Sequence, residues 1–135
     1  MYKRQNEARA LKLLEAQGFF TLDPAAGLAP TPKDITDNPL NVKITELDAA
    51  SVTRAISDVD FAVVNGNFAL DAGIIDTVLV TEDPEADAKE YVNVVAVMPE
   101  NLEDARIKAL VEALTSPEMK TYIEETYGGV VVPVF

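Results

Sequence analysis

The chain has 135 residues, 48% of them hydrophobic, enough for one domain with a core and too apolar for wholesale disorder. Its 11 Lys and Arg stand against 23 Asp and Glu, for a net charge of −12, and no basic cluster offers the donors a nucleic-acid surface needs. The absence of Cys and His removes disulfides, thiolate nucleophiles, zinc sites of the usual kind and His-based triads.

The first element is a helix over 6–18, "NEARALKLLEAQG". Asn6 is placed as its N-cap, Ala10, Leu13 and Leu14 share a face, and Gly18 suits the position just past the end. Phe19 to Leu22 reads as a short strand. The proline-rich segment that follows is mostly loop, with a helical turn from Thr31 that has Pro32 at its first position. "VKITELD" (42–48) alternates like a strand. "AASVTRAIS" (49–57) is a short helix. "DFAVVN" (60–65) is the next strand, and its apolar run predicts burial on both faces, as in a parallel sheet. A helix starts near 67 and ends at Gly73. "TVLVTED" (77–83) is a further strand, and "PEADAKE" (84–90) an acidic surface loop without the glycine and spacing of a calcium site.

"YVNVVAVM" (91–98) is the most β-prone stretch. Two helices follow. The first is capped by Asn101, with Ile107, Leu110, Val111 and Leu114 on one face. The second has Ser116 as N-cap, Pro117 at N1, and Met119, Tyr122 and Ile123 as its stripe. Gly128-Gly129 stops it, and "VVVPVF" closes the chain as an edge strand at best. Strands alternating with helices give an α/β class. No apolar run approaches the ~20 residues that span a bilayer. The opening residues are polar, so no leader is expected in them.

Catalysis is not expected: no carboxylate pair sits in an apolar setting that would split two pKa values, and no phosphate-cradling loop is present. No metal or cofactor is expected either. Three polar residues interrupt apolar context. Arg9, placed in the first turn of its helix, would join a guanidinium fork to the anion-favouring N-terminus; a solvated residue paired with a nearby acid is the plain alternative. Asn65 ends a strand, where ligands of open α/β sheets sit, yet Asn-Gly is also a hairpin signal. Asn93 interrupts "YV-VVAV" and is either a ligand contact or a structural amide bonded to nearby backbone.

The blocks "NEARALKLLEAQG", "TPKDITDNP", "ITELDAASVTRAISDVDFAVVNGNFALDAG", "YVNVVAVMPEN" and "LVEALTSPEMKTYIEETYGGVVVPVF" resemble successive blocks of the methionine-binding lipoproteins of ABC importers, the MetQ/NlpA family. The resemblance runs in unbroken order from Asn6 to Phe135. It implies an incomplete α/β fold of the type II periplasmic-binding-protein kind, with no counterpart of the family's first half, lipid-attachment Cys or aromatic side-chain pocket. Residues 1–5 are then a non-native scar, 6–92 an incomplete second lobe, and 93–135 a crossing strand with helices returning to the first lobe. By the same resemblance Arg9 grips an amino acid's carboxylate and Asn65 and Asn93 hold its polar end. Asn6, Tyr91 and Phe68 complete the candidate set, the two aromatics as cleft lining or core. Ala8 stands where the family's Asn-x-Gly-Arg pattern has Gly, and its methyl would narrow backbone approach to a ligand.

The implied function is substrate binding for an ABC importer: L-methionine or a related amino acid passed to a permease and its ATPase. The setting is the cell envelope, periplasmic or on the outer face of the membrane, reached through a lipid anchor absent here. Two other classes stay open, a ligand-sensing effector domain of the same fold and a non-catalytic acidic interaction module.

Overall fold

Helix α1 spans Tyr2–Ala16 and buries Ala8 and Leu11. The computed structural model describes residues 2–83 and 92–135. Asn6 therefore lies inside α1 and is not its N-cap. The residues before it, Lys3, Arg4 and Gln5, are good helix formers, and each added residue gains a backbone hydrogen bond once a helix exists. Arg9 falls in the third turn as a result, beyond the free N–H groups of the helix start.

The C-terminal end follows the sequence. Gly18 takes φ 79°, its N–H reaches the Glu15 carbonyl at 2.8 Å, and the Phe19 N–H reaches the Leu14 carbonyl at 3.2 Å. This is a Schellman turn, and only a residue without Cβ adopts that backbone cheaply. It folds the chain back so that strand β1 (Thr21–Leu22) lies against α1.

β1 pairs antiparallel with β2 (Ile35–Asp37), Leu22 opposite Ile35 and Thr21 opposite Asp37, with an irregularity between the two pairs. β2 lies in the segment read as loop; three residues between turns carry too little periodicity to announce a strand. Leu11, Phe20 and Leu22 form the core, and Leu14, Phe19, Ile35, Val42 and Ile44 pack against it. The Leu22 N–H donates to Glu15 Oε1 at 2.7 Å, a second tie between helix and strand.

Two polar devices shape the connections. The Thr31 N–H and hydroxyl both donate to Asp34 Oδ2 at 2.8 Å across the helical turn Pro32–Asp34, as the T-x-x-D spacing allows. These bonds, the hydroxyl's foremost, hold the Asp34 carboxyl below its usual range. Asn38 acts like a piece of backbone: its Oδ1 accepts from the Val42 N–H at 2.8 Å and its Nδ2 donates to the Val42 carbonyl at 3.0 Å. The loop so closed carries Asn41 at φ 53°, a conformation Asn tolerates.

Helix α2 (Ala49–Ala55) continues into a 3-10 turn over Ile56–Asp58 and packs against α3 (Gly66–Asp71). α3 ends as α1 does. Gly73, at φ 66°, donates to the Leu70 carbonyl, and Ile74 to that of Ala69. The Phe61 ring meets Phe19 edge-on, centroids 5.2 Å apart.

Several expected strands are not strands. Among the described residues the sheet is the β1–β2 pair; 42–48, 60–65, 77–83 and 92–98 carry no ladder. Burial on both faces fails for 61–64 as well, since Phe61 is 59% exposed. A strand exists only through its neighbour, and these β-prone segments have none among the described residues. The acidic loop 84–90 and Tyr91 lie outside the described residues.

The backbone packs as two compact units, Met1–Thr81 and Glu82–Phe135. The second carries α4 (Ala105–Leu114) and α5 (Pro117–Tyr127). α4 is capped by Asp104, whose Oδ1 accepts from the Arg106 N–H at 2.8 Å; Asn101 instead ends the 3-10 turn Pro99–Asn101. Asp104 wins because it directly precedes the helical residues, while Asn101 is held back by the Pro99 turn. The Arg106 side chain, then its backbone N–H, holds the Asp104 carboxyl below its usual range. α5 is built as its sequence predicts: the Ser116 hydroxyl accepts from the Met119 N–H at 3.1 Å, Pro117 occupies N1, and Gly128 closes the helix at φ 53°.

Asn38→Ala removes both bonds to Val42. It is expected to destabilise the 2–81 unit by about 1–2 kcal/mol in urea unfolding; no change would mean the loop holds without the amide.

Asp34 and Asp104 both have depressed folded-state pKa values. A depressed carboxyl contributes stability that is present above the unfolded value of about 3.9 and is lost as pH falls through the folded one. Far-UV circular dichroism should therefore show helix loss in that acid window, and Asp34→Asn with Asp104→Asn should flatten the dependence.

Candidate functional site

Arg9 and Asn6 lie three residues apart on α1 and so share a face. Both are half-buried. Arg9 also takes part in a polar interaction within the chain. Ala8 is fully buried, its methyl part of the packed interior of the unit.

Asn65 resolves the choice between hairpin and strand end. It has φ −62° and ψ 137°, an extended residue that directly precedes α3, and its carbonyl accepts from the Phe68 and Ala69 N–H groups at 3.0 and 3.1 Å. No hairpin forms. The chain passes from an extended segment straight into a helix, and Asn65 is that helix's N-cap. Its side chain nevertheless makes no capping bond and is half-buried. An amide that caps through its backbone alone leaves a donor and an acceptor for another use. Phe68, one turn on and half-buried, shares this corner.

The candidates thus gather in pairs within residues 2–81: Asn6 with Arg9 on α1, and Asn65 with Phe68 at the start of α3. Asn93 belongs to the other unit and is exposed; it is not a buried structural amide. Tyr91 is outside the described residues. Among those residues no group of three or more acidic side chains is placed to hold a metal ion. No helix there is long and apolar enough to cross a membrane.

Sequence reasoning missed the polar side chains that organise the unit. Nothing in the helical pattern of 6–18 shows that Glu15 accepts from the Leu22 N–H and so fixes β1 to α1. An Asn-Pro dipeptide at 38–39 signals a turn, but nothing local shows that the amide reaches Val42.

Solved structures of known proteins share this arrangement. An ABC transporter periplasmic substrate-binding protein of Coxiella burnetii superposes with a TM-score of 0.83 at 41% identity, over 97% of this chain and 55% of that one. A nutrient-binding protein of Burkholderia cenocepacia, solved bound to methionine, gives 0.78 at 37% identity, over 96% of this chain and 54% of that one. The class is therefore an incomplete α/β substrate-binding fold of the type II periplasmic kind. The model of the NlpA lipoprotein family matches residues 3–135, and the chain belongs to that family. A curated relative, the membrane lipoprotein TpN32 of Treponema pallidum, is 42% identical over 132 residues, which is 95% of this chain and 48% of that protein. The chain spans about half the length of the curated relatives it matches.

Because the Asn65 side chain makes no capping bond, Asn65→Ala is expected to cost less than about 0.5 kcal/mol of stability. Ser116→Ala, which removes a formed cap bond, should cost about 1 kcal/mol. Thermal unfolding of the two variants side by side checks the contrast. Equal losses would mean that Asn65 is only a capping residue.

Proposed function

We propose that this chain is part of the substrate-binding component of an ABC importer, and that the assembled receptor binds methionine or a related amino acid. The reading is carried by one observation: along 96% of its length the chain shares its fold, at 37% identity, with a nutrient-binding protein that holds methionine. The receptor works at the cell envelope as a lipoprotein and passes its ligand to a permease driven by an ATPase. It binds and releases without catalysis.

In this reading a zwitterionic ligand exchanges water for fixed donors and acceptors. Arg9 supplies a planar fork that matches a carboxylate in two parallel bonds. Its distance from the helix start means that the guanidinium, and not the helix dipole, does the binding. Asn6 stands beside it on the same face. The Asn65 amide, uncommitted to its own helix, takes the ligand's polar end together with Asn93, and Phe68 and Tyr91 supply apolar contact. Asn93 is exposed here, as suits a residue whose partner is a ligand and not neighbouring backbone.

The test uses a chimeric receptor in which residues 6–135 replace the matching segment of the Coxiella burnetii protein. Isothermal titration with L-methionine should show binding. Arg9→Ala should weaken it about 10- to 100-fold, as loss of a charge-assisted bond does. Arg9→Lys should recover little, because Lys lacks the fork. Glu46→Ala, at an exposed loop position, should leave affinity unchanged. A chimera that folds but ignores methionine removes the ligand assignment, and unchanged affinity in Arg9→Ala removes Arg9 from the site.

A further inference from the structure

The dipeptide Asn65-Gly66 stands at the entry to α3 with both of its reactive groups unengaged. Among the described residues neither the Asn65 side chain nor the Gly66 N–H has a hydrogen-bond partner. Both residues are half-buried, so water reaches them. An asparagine side chain and the backbone nitrogen that follows it can close into a small ring, and glycine leaves that nitrogen uncrowded because it has no Cβ.

The other asparagines among the described residues lack this pairing. Asn38 precedes proline, which has no N–H, and its amide is bonded twice to Val42. The nitrogens after Asn41, Asn67 and Asn101 are committed: Val42 donates to Asn38 Oδ1, Phe68 to the Asn65 carbonyl and Leu102 to the Pro99 carbonyl. Asn6 lies inside α1, where the helical ladder engages the next N–H. Asn93 is followed by Val94, whose branched side chain crowds the nitrogen.

We propose that Asn65-Gly66 is a self-modification site, where the Gly66 nitrogen closes on the Asn65 side chain to a succinimide that water opens to aspartate or isoaspartate, at a rate set by the opening of α3. The step needs water alone as co-reactant. The Gly66 nitrogen bonds to Asn65 Cγ, the Cγ–Nδ2 bond breaks, and Nδ2 leaves as ammonia with the proton that Gly66 gives up. Water then cleaves one of the two ring C–N bonds and returns a proton to the nitrogen. Cleavage at Cγ leaves aspartate. Cleavage at the Asn65 main-chain carbonyl carbon leaves isoaspartate, with the backbone rerouted through the side chain. Because the attacking nitrogen must lose its proton, the rate rises with pH. Ring closure also turns the Asn65 Cα–C bond away from ψ 137°, which lifts the first turn of α3. That helix has six residues and buries Ala69 alone, so it opens at small cost. Aspartate adds a charge that suits a helix start, whereas isoaspartate lengthens the backbone there. Either product removes the amide that meets the ligand's polar end; only this consequence rests on the proposed function, and the test contains no ligand.

The 135-residue chain is held in buffers from mildly acidic to mildly alkaline and then digested briefly at acidic pH. Chromatography with mass detection follows each asparagine, and fragmentation tells Asn65 from Asn67. The acid form is expected at Asn65 about tenfold or more ahead of the other asparagines. Part of it should be isoaspartate, and the rate should climb with pH. Gly66→Ala should slow the conversion about tenfold, or about 1.4 kcal/mol on the barrier. Gly66 is not among the glycines at positive φ, so the variant should keep the circular dichroism of the parent. Ala69→Gly, which weakens α3, should speed the conversion about fivefold. The proposal is overturned if Asn65 keeps its amide as long as Asn67 does, or if the acid form appears without isoaspartate, the mark of direct hydrolysis. It is equally overturned if Gly66→Ala or Ala69→Gly converts at the parent rate.

Discussion

The left-handed turn at Gly18 is the constraint on which the 2–81 unit depends. At φ 79° it ends α1 and reverses the chain within two residues. That reversal sets Phe20 and Leu22 against Leu11 and brings the Leu22 N–H to the Glu15 carboxylate. β2 then has an edge to pair with, and Ile35, Val42 and Ile44 have an apolar surface to cover. A side chain with Cβ at position 18 meets no atomic clash; the cost lies in the backbone conformation itself. The whole small core follows from one residue that lacks a side chain.

That core is small for the chain that surrounds it. Among the described residues five hydrophobic side chains are buried, while Phe61, Leu79, Val94 and Met98 stand more than half exposed. The exposed residues fall largely in the segments whose β propensity is highest. Apolar residues in an extended segment are buried when strands flank it on both sides and helices cover the faces. Among the described residues these segments have no such strands, since the sheet there is the β1–β2 pair. Local pattern and tertiary state disagree here because strand propensity belongs to each segment alone, whereas a ladder needs a neighbour.

The candidate site reflects the same division. Arg9 and Asn6 are fixed by α1 and Asn65 by the entry to α3, both inside the unit that has a core. Their positions are set by capping turns and helix packing, which the chain completes by itself. Asn93 stands in the other unit, in an extended run that bears no ladder.

What the sequence determined by itself was local: where helices end, and which turns have the residues to close. Gly18, Gly73 and Gly128 stop their helices, Ser116 caps α5, and the Thr31 turn forms with Pro32 at its start, because each depends on residues within a few positions. The family was legible too, since residue types in order survive whatever the packing does. Helix starts were less so. Asn6 and Asn101 have capping side chains, but a cap is used only where the backbone leaves the helical state, and α1 continues through Asn6 while the Pro99 turn shifts the start of α4 to Asp104. The tertiary structure alone decided that Glu15 and Asn38 bond across to Leu22 and Val42, that Ala8 is core, and that Asn65 enters a helix rather than a hairpin. It also decided which β-prone runs become strands. Propensity is a property of one segment and pairing a property of two, so no reading of a single segment supplies its neighbour.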